Sequence, residues 1–293
     1  MPSVSIIGVG RVGGALALAL QKAGYEIEHL VHRDATTAKL IAPKLPGVEF
    51  REQQASFSFL TSDIVLITTP DPLIGPIAER LSAELRHKPT VLHTSGSLSS
   101  NILSRVAEFG FGTGSMHPLV SISDAITGAL SFEKGYFCVE GDETGERIAT
   151  SMVQSLGGIP FTIPPDCKPL YHAAAVMASG HFVSLIDISI ELLNKCGVRP
   201  ESAKSILLPL IRTTLGNLES KNTAGSLTGS FARADSDAIT RHLAAIDDSN
   251  PLIREVYLLL GERSIDLAAA AGVSPDDLAK LRESISIAKR KSE

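Results

Sequence analysis

The sequence has little that would place it in a specialised class. Its three cysteines, Cys138, Cys167 and Cys196, are odd in number and form no Cys-x-x-Cys pair. This argues against a disulfide framework and for reduced thiols in a reducing compartment, with all three expected as packing residues. No metal site is expected. A basic excess is also missing: the formal net charge is -5, with no basic stripe to neutralise a phosphate backbone, so nucleic acid is not an expected partner. No basic segment followed by an apolar run and a cleavage site precedes the first strand, which predicts a cytoplasmic protein. The most apolar stretch, residues 173–190, carries His181 and Asp187 and falls short of a clean span of about 20 residues. It reads as a buried helix, and no membrane partner is expected. Internal repeats and low-complexity tracts are absent as well, and Lys289, Arg290 and Lys291 read as a solvated helix end.

What is present is ordinary globular usage, 44% hydrophobic and 20% charged, in 293 residues. At roughly 150 residues per domain that length suggests two domains. Short β-rich runs at 4–7, 27–31, 64–68, 90–94, 112–116 and 136–139 alternate with helical patterns at 12–23, 36–45, 74–85, 99–109 and 145–156. Such alternation predicts βαβ units on a doubly wound parallel sheet, and 159–163 predicts an edge strand. Pro164, Pro165 and Pro169 then interrupt the pattern. The boundary is placed there, with an α/β domain over 1–165 and an all-α domain over 166–293. The second domain reads as helices over 170–196, 201–219, 237–246, 250–271 and 275–291.

The run Gly8-Val9-Gly10-Arg11-Val12-Gly13 follows the first strand and opens the first helix. In that context the first glycine makes the turn, the second lets backbone approach a pyrophosphate, and the third permits close helix–strand packing. The helix N-terminus adds free N–H groups and a positive dipole end. A Rossmann dinucleotide site is expected. At the end of the second strand, where an NAD-preferring site carries an acid, stand His32 and Arg33. Arg33 is a planar donor suited to a 2′-phosphate, with Thr36 and Thr37 adding hydroxyls. NADP is therefore the expected cofactor. Asp34 suits the ribose of NAD, the alternative, and Arg33 argues against a deazaflavin.

Ligands collect beyond the carboxyl ends of such strands. Thr69 and Pro70 are expected beside the nicotinamide ribose and pyrophosphate, and Ser95 and Gly96 near the nicotinamide. Thr68, Thr94 and Pro118 read equally well as turn residues. His117, at a strand end, is suited to a carboxylate or carbonyl oxygen. Hydride transfer to a carbonyl or imine carbon needs a proton donor and groups that hold the substrate in line. Lys168, His172 and Ser179 share one helix face if the helix begins by Lys168. His172 or Lys168 is then the candidate donor and Ser179 a substrate ligand, while Asp187 is a weaker candidate and His181 points away. Arg233, in the loop before a later helix, is suited to clamp a carboxylate, or equally to a surface ion pair.

With Gly8 to Gly13, Thr94-Ser95-Gly96, Met116-His117-Pro118-Leu119, Tyr171-His172-Ala173-Ala174-Ala175 and Leu227-Thr228-Gly229 followed by Arg233, the chain resembles a bacterial family. Its members are Rossmann-like proteins with a C-terminal helical domain of unknown function. The family is similar in architecture to the 6-phosphogluconate dehydrogenase-like superfamily, which includes pyrroline-5-carboxylate and ketopantoate reductases, and some members are regarded as non-classical ketopantoate reductases. The resemblance implies an NADP-linked reductase of a small keto acid, such as 2-dehydropantoate, or of a cyclic imine. It also implies a homodimer formed through the helical domain. Classical ketopantoate reductases carry a lysine and an asparagine on the interdomain helix; here Lys168 lies at its start and Gly180 replaces the asparagine. The rival class is a non-catalytic NADP(H) sensor.

Overall fold

The computed structural model describes residues 2–33, 35–52, 56–246 and 250–290. Asp34 and Lys291 lie outside the described residues. The chain forms two compact units, Met1–His181 and Phe182–Glu293. The structural division thus falls later than the one expected at 165, because the helix that follows the prolines is anchored in the first unit by the fully buried Lys168.

The first unit is built on strands β1 (Ser3–Ile7), β2 (Glu26–His32), β3 (Glu49–Glu52), β4 (Ile64–Ile67), β5 (Thr90–His93), β6 (Thr113–Pro118), β7 (Tyr136–Gly141) and β8 (Ile159–Phe161). They form one eight-stranded sheet in the order β3-β2-β1-β4-β5-β6-β7-β8. The chain returns to the middle between β1 and β4, the switch point at which dinucleotide-binding sheets hold their ligand. Around the sheet lie α1 (Arg11–Lys22), α2 (Ala35–Ile41), α3 (Ile74–Glu84), α4 (Ser104–Glu108), α5 (Ala125–Gly128), α6 (Glu143–Ser155) and α7 (Lys168–Ala178). In β4, Ile64 and Leu66 enter one core cluster while Val65 and Ile67 enter another. Both faces of the strand are therefore covered, which is why central strands read as unbroken apolar runs.

Two features depart from the sequence pattern. Strand β3 has only one apolar side chain, Phe50, among Glu49, Arg51 and Glu52, and it pairs on one side only. Charges on an edge strand cost little and discourage further pairing, so the hydrophobic signal was lost. The sheet is parallel for the most part, as expected, with one reversal: β7 runs antiparallel to β6, and β8 parallel to β7. The link between β6 and β7 holds only the single-turn α5, without the crossover helix that usually returns a chain to parallel pairing.

A continuous helix over 170–196 is not formed. Helix α7 stops at Ala178, Ser179 adopts φ -121° and ψ -78°, and α8 (Gly180–Lys195) begins anew. A Ser-Gly pair is a common site of such a break. The rest of the second unit is α9 (Pro200–Ser220), α10 (Thr223–Ser226), α11 (Gly229–Ala232), α12 (Ser236–Ile246), α13 (Pro251–Ala270) and α14 (Pro275–Arg290). Ile239, Leu243, Leu258, Ile265, Leu281 and Ile285 form its core. The expectation of a buried helix over 173–190 is corrected as well, since α8 contains no buried side chain and Val183 is 67% exposed. Among the described residues, Pro165–Lys195 is the one helical stretch long and apolar enough to cross a membrane. Of the cysteines, Cys138 is buried as expected, whereas Cys167 and Cys196 are exposed and so do not pack in a core.

Candidate active site

The glycine loop is assembled by backbone. Gly8 has φ +108°, a conformation open to glycine, and its N–H donates to Val31 O at 2.8 Å. A Cβ on Gly13 would stand 2.1 Å from Gly8 O and 2.3 Å from Thr68 Oγ1, so only glycine lets α1 approach β1 and β4 this closely. Gly10 is different, because a Cβ there would meet nothing within 4 Å. Gly10 also caps α1 without any side-chain hydrogen bond, and no acid occupies the first turn. The first N–H groups and the positive helix end thus remain available to an anion.

A cavity of about 240 Å³ opens here, lined by Gly8, Val9, Gly10, Arg33, Thr37, Thr68, Thr69, Pro70 and Leu73. It gathers six of the residues expected at the cofactor: Gly8, Gly10, Arg33, Thr37, Thr69 and Pro70. Of the two threonines expected beside Arg33, Thr37 lines it and Thr36 is exposed on α2. Arg11 is exposed on the first turn of α1, and Val12 packs against the sheet core. His32 is half-buried, with Nδ1 out of water and without a hydrogen-bond partner. Thr69 Oγ1 is likewise buried and unpartnered on the cavity wall. These features fit an anionic dinucleotide: an uncapped helix end, an open glycine, an exposed guanidinium and a hydroxyl without a partner.

Further along the same sheet edge, a second cluster is assembled by side chains. Lys168 Nζ donates to Ser95 O at 3.1 Å and Ser115 Oγ at 2.8 Å, with Glu140 Oε1 at 4.0 Å. Glu140, only 4% exposed, accepts in turn from Ser100 N at 2.8 Å and Ser100 Oγ at 2.7 Å. Burial pushes the Lys168 ammonium below its ordinary pKa, against the opposing pull of Cys138 and Glu140. Lys168 therefore ties α7 to the ends of β5 and β6, and most of its donor capacity is already used. Ser95 is also occupied, since its Oγ accepts from Ser97 N and Leu98 N while its N–H donates to His93 Nδ1. Ser97 Oγ reaches Asp71 Oδ2 at 2.6 Å and joins the loops that follow β4 and β5.

On this framework stand three rings. His117 and His172 lie edge-to-face with centroids 5.7 Å apart, and Tyr171 lies edge-to-face with His117 at 5.5 Å. His117 Nδ1 and Tyr171 Oη are hydrogen-bonded at 2.7 Å. Gly96 lies beneath both imidazoles: a Cβ there would be 2.4 Å from His172 Nδ1 and 2.7 Å from His117 Nε2. His172 Nδ1 is buried and has no hydrogen-bond partner. Burial, helped by the Lys168 charge, lowers His117 to a pKa of about 4 and His93 to about 3. Both are neutral at neutral pH. A neutral imidazole offers one donor and one acceptor, the equipment for moving a proton to or from a small bound molecule.

The structure thus brings Ser95, Gly96, His117, Lys168 and His172 together. Ser179 is exposed at the end of α7, His181 and Asp187 are exposed on α8, and Arg233 is exposed beside α11 in the second unit. Sequence reasoning placed Asp71, His93 and Ser115 at ligand-collecting strand ends and Tyr171 in a motif, but gave none of them, nor Glu140, a role in this cluster. Two signals were available. Ser115 and His117 are two apart on one strand, and Glu140 is the single acid inside an otherwise apolar β7.

Comparison with known proteins agrees with this architecture. A candidate NADP oxidoreductase from Bacteroides fragilis superposes with a TM-score of 0.72 at 20% identity, covering 92% of this chain and 98% of that one. A protein from Thermotoga maritima gives 0.67 at 26% identity over 91% and 98%. The pyrroline-5-carboxylate reductase of Streptococcus pyogenes gives 0.59 at 17% identity over 99% and 98%. No curated protein matches the sequence. Residues 2–118 match the family model of a Rossmann-like domain, and residues 135–264 match that of a domain of unknown function, DUF2520. The two family matches follow one another along the chain, the Rossmann-like one first and DUF2520 after it, as the glycine loop and the Tyr-His-Ala-Ala-Ala segment led one to expect.

Proposed function

We propose that this protein is a nicotinamide-dependent oxidoreductase that reduces a small carbonyl or imine compound, with NADPH as its preferred donor. The observation that carries this reading is the single cavity in which an open Gly10, an uncapped α1 and the Arg33 guanidinium meet. Gly8, Gly10 and the first turn of α1 would hold the pyrophosphate, and Arg33 and Thr37 the adenosine end. Thr69 and Pro70 would border the ribose toward the reacting end. When bound, the dinucleotide supplies the hydride. The chain's own part is to hold the substrate and to manage the proton that must reach the reduced oxygen or nitrogen. His117 and His172 are the groups placed for that, while Lys168 fixes the loop carrying Ser95 and Gly96.

A small 2-keto acid, 2-dehydropantoate first, is the proposed substrate. A cyclic imino acid is the second reading, favoured by the architecture shared with pyrroline-carboxylate reductases at TM-scores of 0.57 to 0.59. We extend the proposal to a cytoplasmic homodimer, in which a second copy covers the apolar side chains that α8 and α9 expose, Val183, Ile206 and Leu210 among them. The test is NADPH oxidation with 2-dehydropantoate, pyrroline-5-carboxylate and short 2-keto acids, beside direct titration of NADPH and NADH. Turnover with one of them establishes the reductase and its substrate. Tight NADPH binding without turnover on any would favour a sensor, and absence of binding would overturn the dinucleotide site.

A further inference from the structure

We propose that Tyr171 is a positioning residue: its hydroxyl donates to His117 Nδ1 and so locks that ring as the Nε2–H tautomer, aiming one fixed donor over Gly96 beside His172. The tautomer itself stands on geometry. Its chemical consequence rests on the reductase reading above.

Two hydrogen-bond directions are open to a neutral imidazole and a phenol, and three observations choose between them. The 2.7 Å separation matches an O–H donor, whose bonds centre near 2.7–2.8 Å, better than an N–H donor, whose bonds centre near 2.9–3.0 Å. A phenol is also a stronger acid than a neutral imidazole N–H, and the imidazole lone pair a stronger base than the phenol oxygen, so the phenol donates. Finally, half-burial against Phe161 and His117 raises the Tyr171 pKa, which keeps its proton in place. The other titratable groups acting on His117 are Lys168, His172 and Asp71. With Nδ1 occupied, the remaining proton sits on Nε2, the nitrogen that faces Gly96.

The consequence is directional. A ligand atom that reaches His117 Nε2 meets a donor, so it must accept: a carbonyl oxygen, a carboxylate oxygen or an imine lone pair fits, and an ammonium group does not. In the reductive direction this N–H is the proton that stabilises charge developing on the oxygen or nitrogen. His172 Nδ1, buried and without a hydrogen-bond partner among the described residues, lies against Gly96 as well.

The experiment is long-range proton–nitrogen NMR on uniformly 15N-histidine-labelled full-length protein at neutral pH, with His117→Gln identifying the His117 signals. The wild type should show His117 protonated on Nε2, and Tyr171→Phe, which keeps the ring contacts, should show a mixture of tautomers. An Nδ1–H ring in the wild type would overturn the proposal, as would a Tyr171→Phe spectrum identical to it. Should Tyr171→Phe fold poorly, the wild-type spectrum alone still decides. If a substrate turns over, Tyr171→Phe should lower kcat on the order of 10-fold with KM nearly unchanged. Because the NMR measurement needs no turnover, failure of the reductase reading and failure of the tautomer are distinguishable.

Discussion

The glycine loop and the histidine cluster lie along the carboxyl edge of one sheet, and they are built in opposite ways. The loop is made of backbone from one short segment, stays open to solvent at Gly10, and depends on side chains that are absent. The cluster is made of side chains brought from β5, β6, β7 and α7, with Lys168 bonded to partners 53 and 73 residues away. Its polar groups are buried, and most are already paired with one another. A site that must receive a large anion keeps its donors unspent, whereas a site that must hold a precise arrangement spends most of them on itself.

Lys168→Met gives the sharpest break between the two regions. It leaves the carboxylate of Glu140 and the carbonyl of Ser95 without their buried cation, and losing one partner of a buried pair costs about 3–5 kcal/mol. Urea unfolding should show that loss, with Glu140→Gln in the same chain restoring part of it. A Lys168→Met protein as stable as the wild type would mean that the cluster is not held by this charge.

Gly13→Ala attacks the other region. The added methyl overlaps Gly8 O, so α1 must move away from β1, at roughly 1–3 kcal/mol by analogy with overpacked cores. NADPH affinity should fall about 10- to 100-fold in calorimetric titration, while the tautomer of His117 stays as in the wild type. Changes at both sites together would show that they are one cooperative unit.

Acidification separates them without mutation. His117 and His93 titrate at about 4 and about 3 when folded, below the ordinary 6.5. Between those values the unfolded chain binds more protons, so stability is fully present above about 6.5 and is lost as pH falls. Each ring should contribute a slope of about 1.4 kcal/mol per pH unit. Thermal unfolding measured from neutral pH downward should show Tm falling, less steeply in His117→Gln, and a flat series would contradict neutral, buried imidazoles.

Arg33→Ala is the smallest effect. Loss of one charge-assisted contact should weaken NADPH by about 10-fold and leave NADH unchanged. Equal weakening of both would move Arg33 away from the 2′-phosphate.

Legibility in the sequence followed the same contrast. The glycine loop was readable because two of its glycines answer to local demands, a positive φ at Gly8 and a close approach at Gly13, that spacing alone reports. His117, Lys168 and His172 were singled out, but Ser115, Glu140 and Tyr171 were not, because nothing local distinguishes a buried serine or tyrosine that packs from one that completes a network. Strand β3 was missed because its edge position relaxes the demand for apolar residues, and the single helix expected over 170–196 ignored the Ser179-Gly180 pair that breaks it.

The sequence by itself determined the alternation of strands and helices, the apolar core strands and the glycine turn between β1 and α1, since periodicity and glycine spacing are one-dimensional consequences of backbone geometry and burial. The tertiary structure alone decided that β7 reverses, that Lys168 is a buried tie between Ser95, Ser115 and Glu140, and that Tyr171 meets His117. These depend on which distant segments share a sheet edge, and hydrogen bonds between residues 53, 54 and 73 positions apart leave no period in the sequence to read.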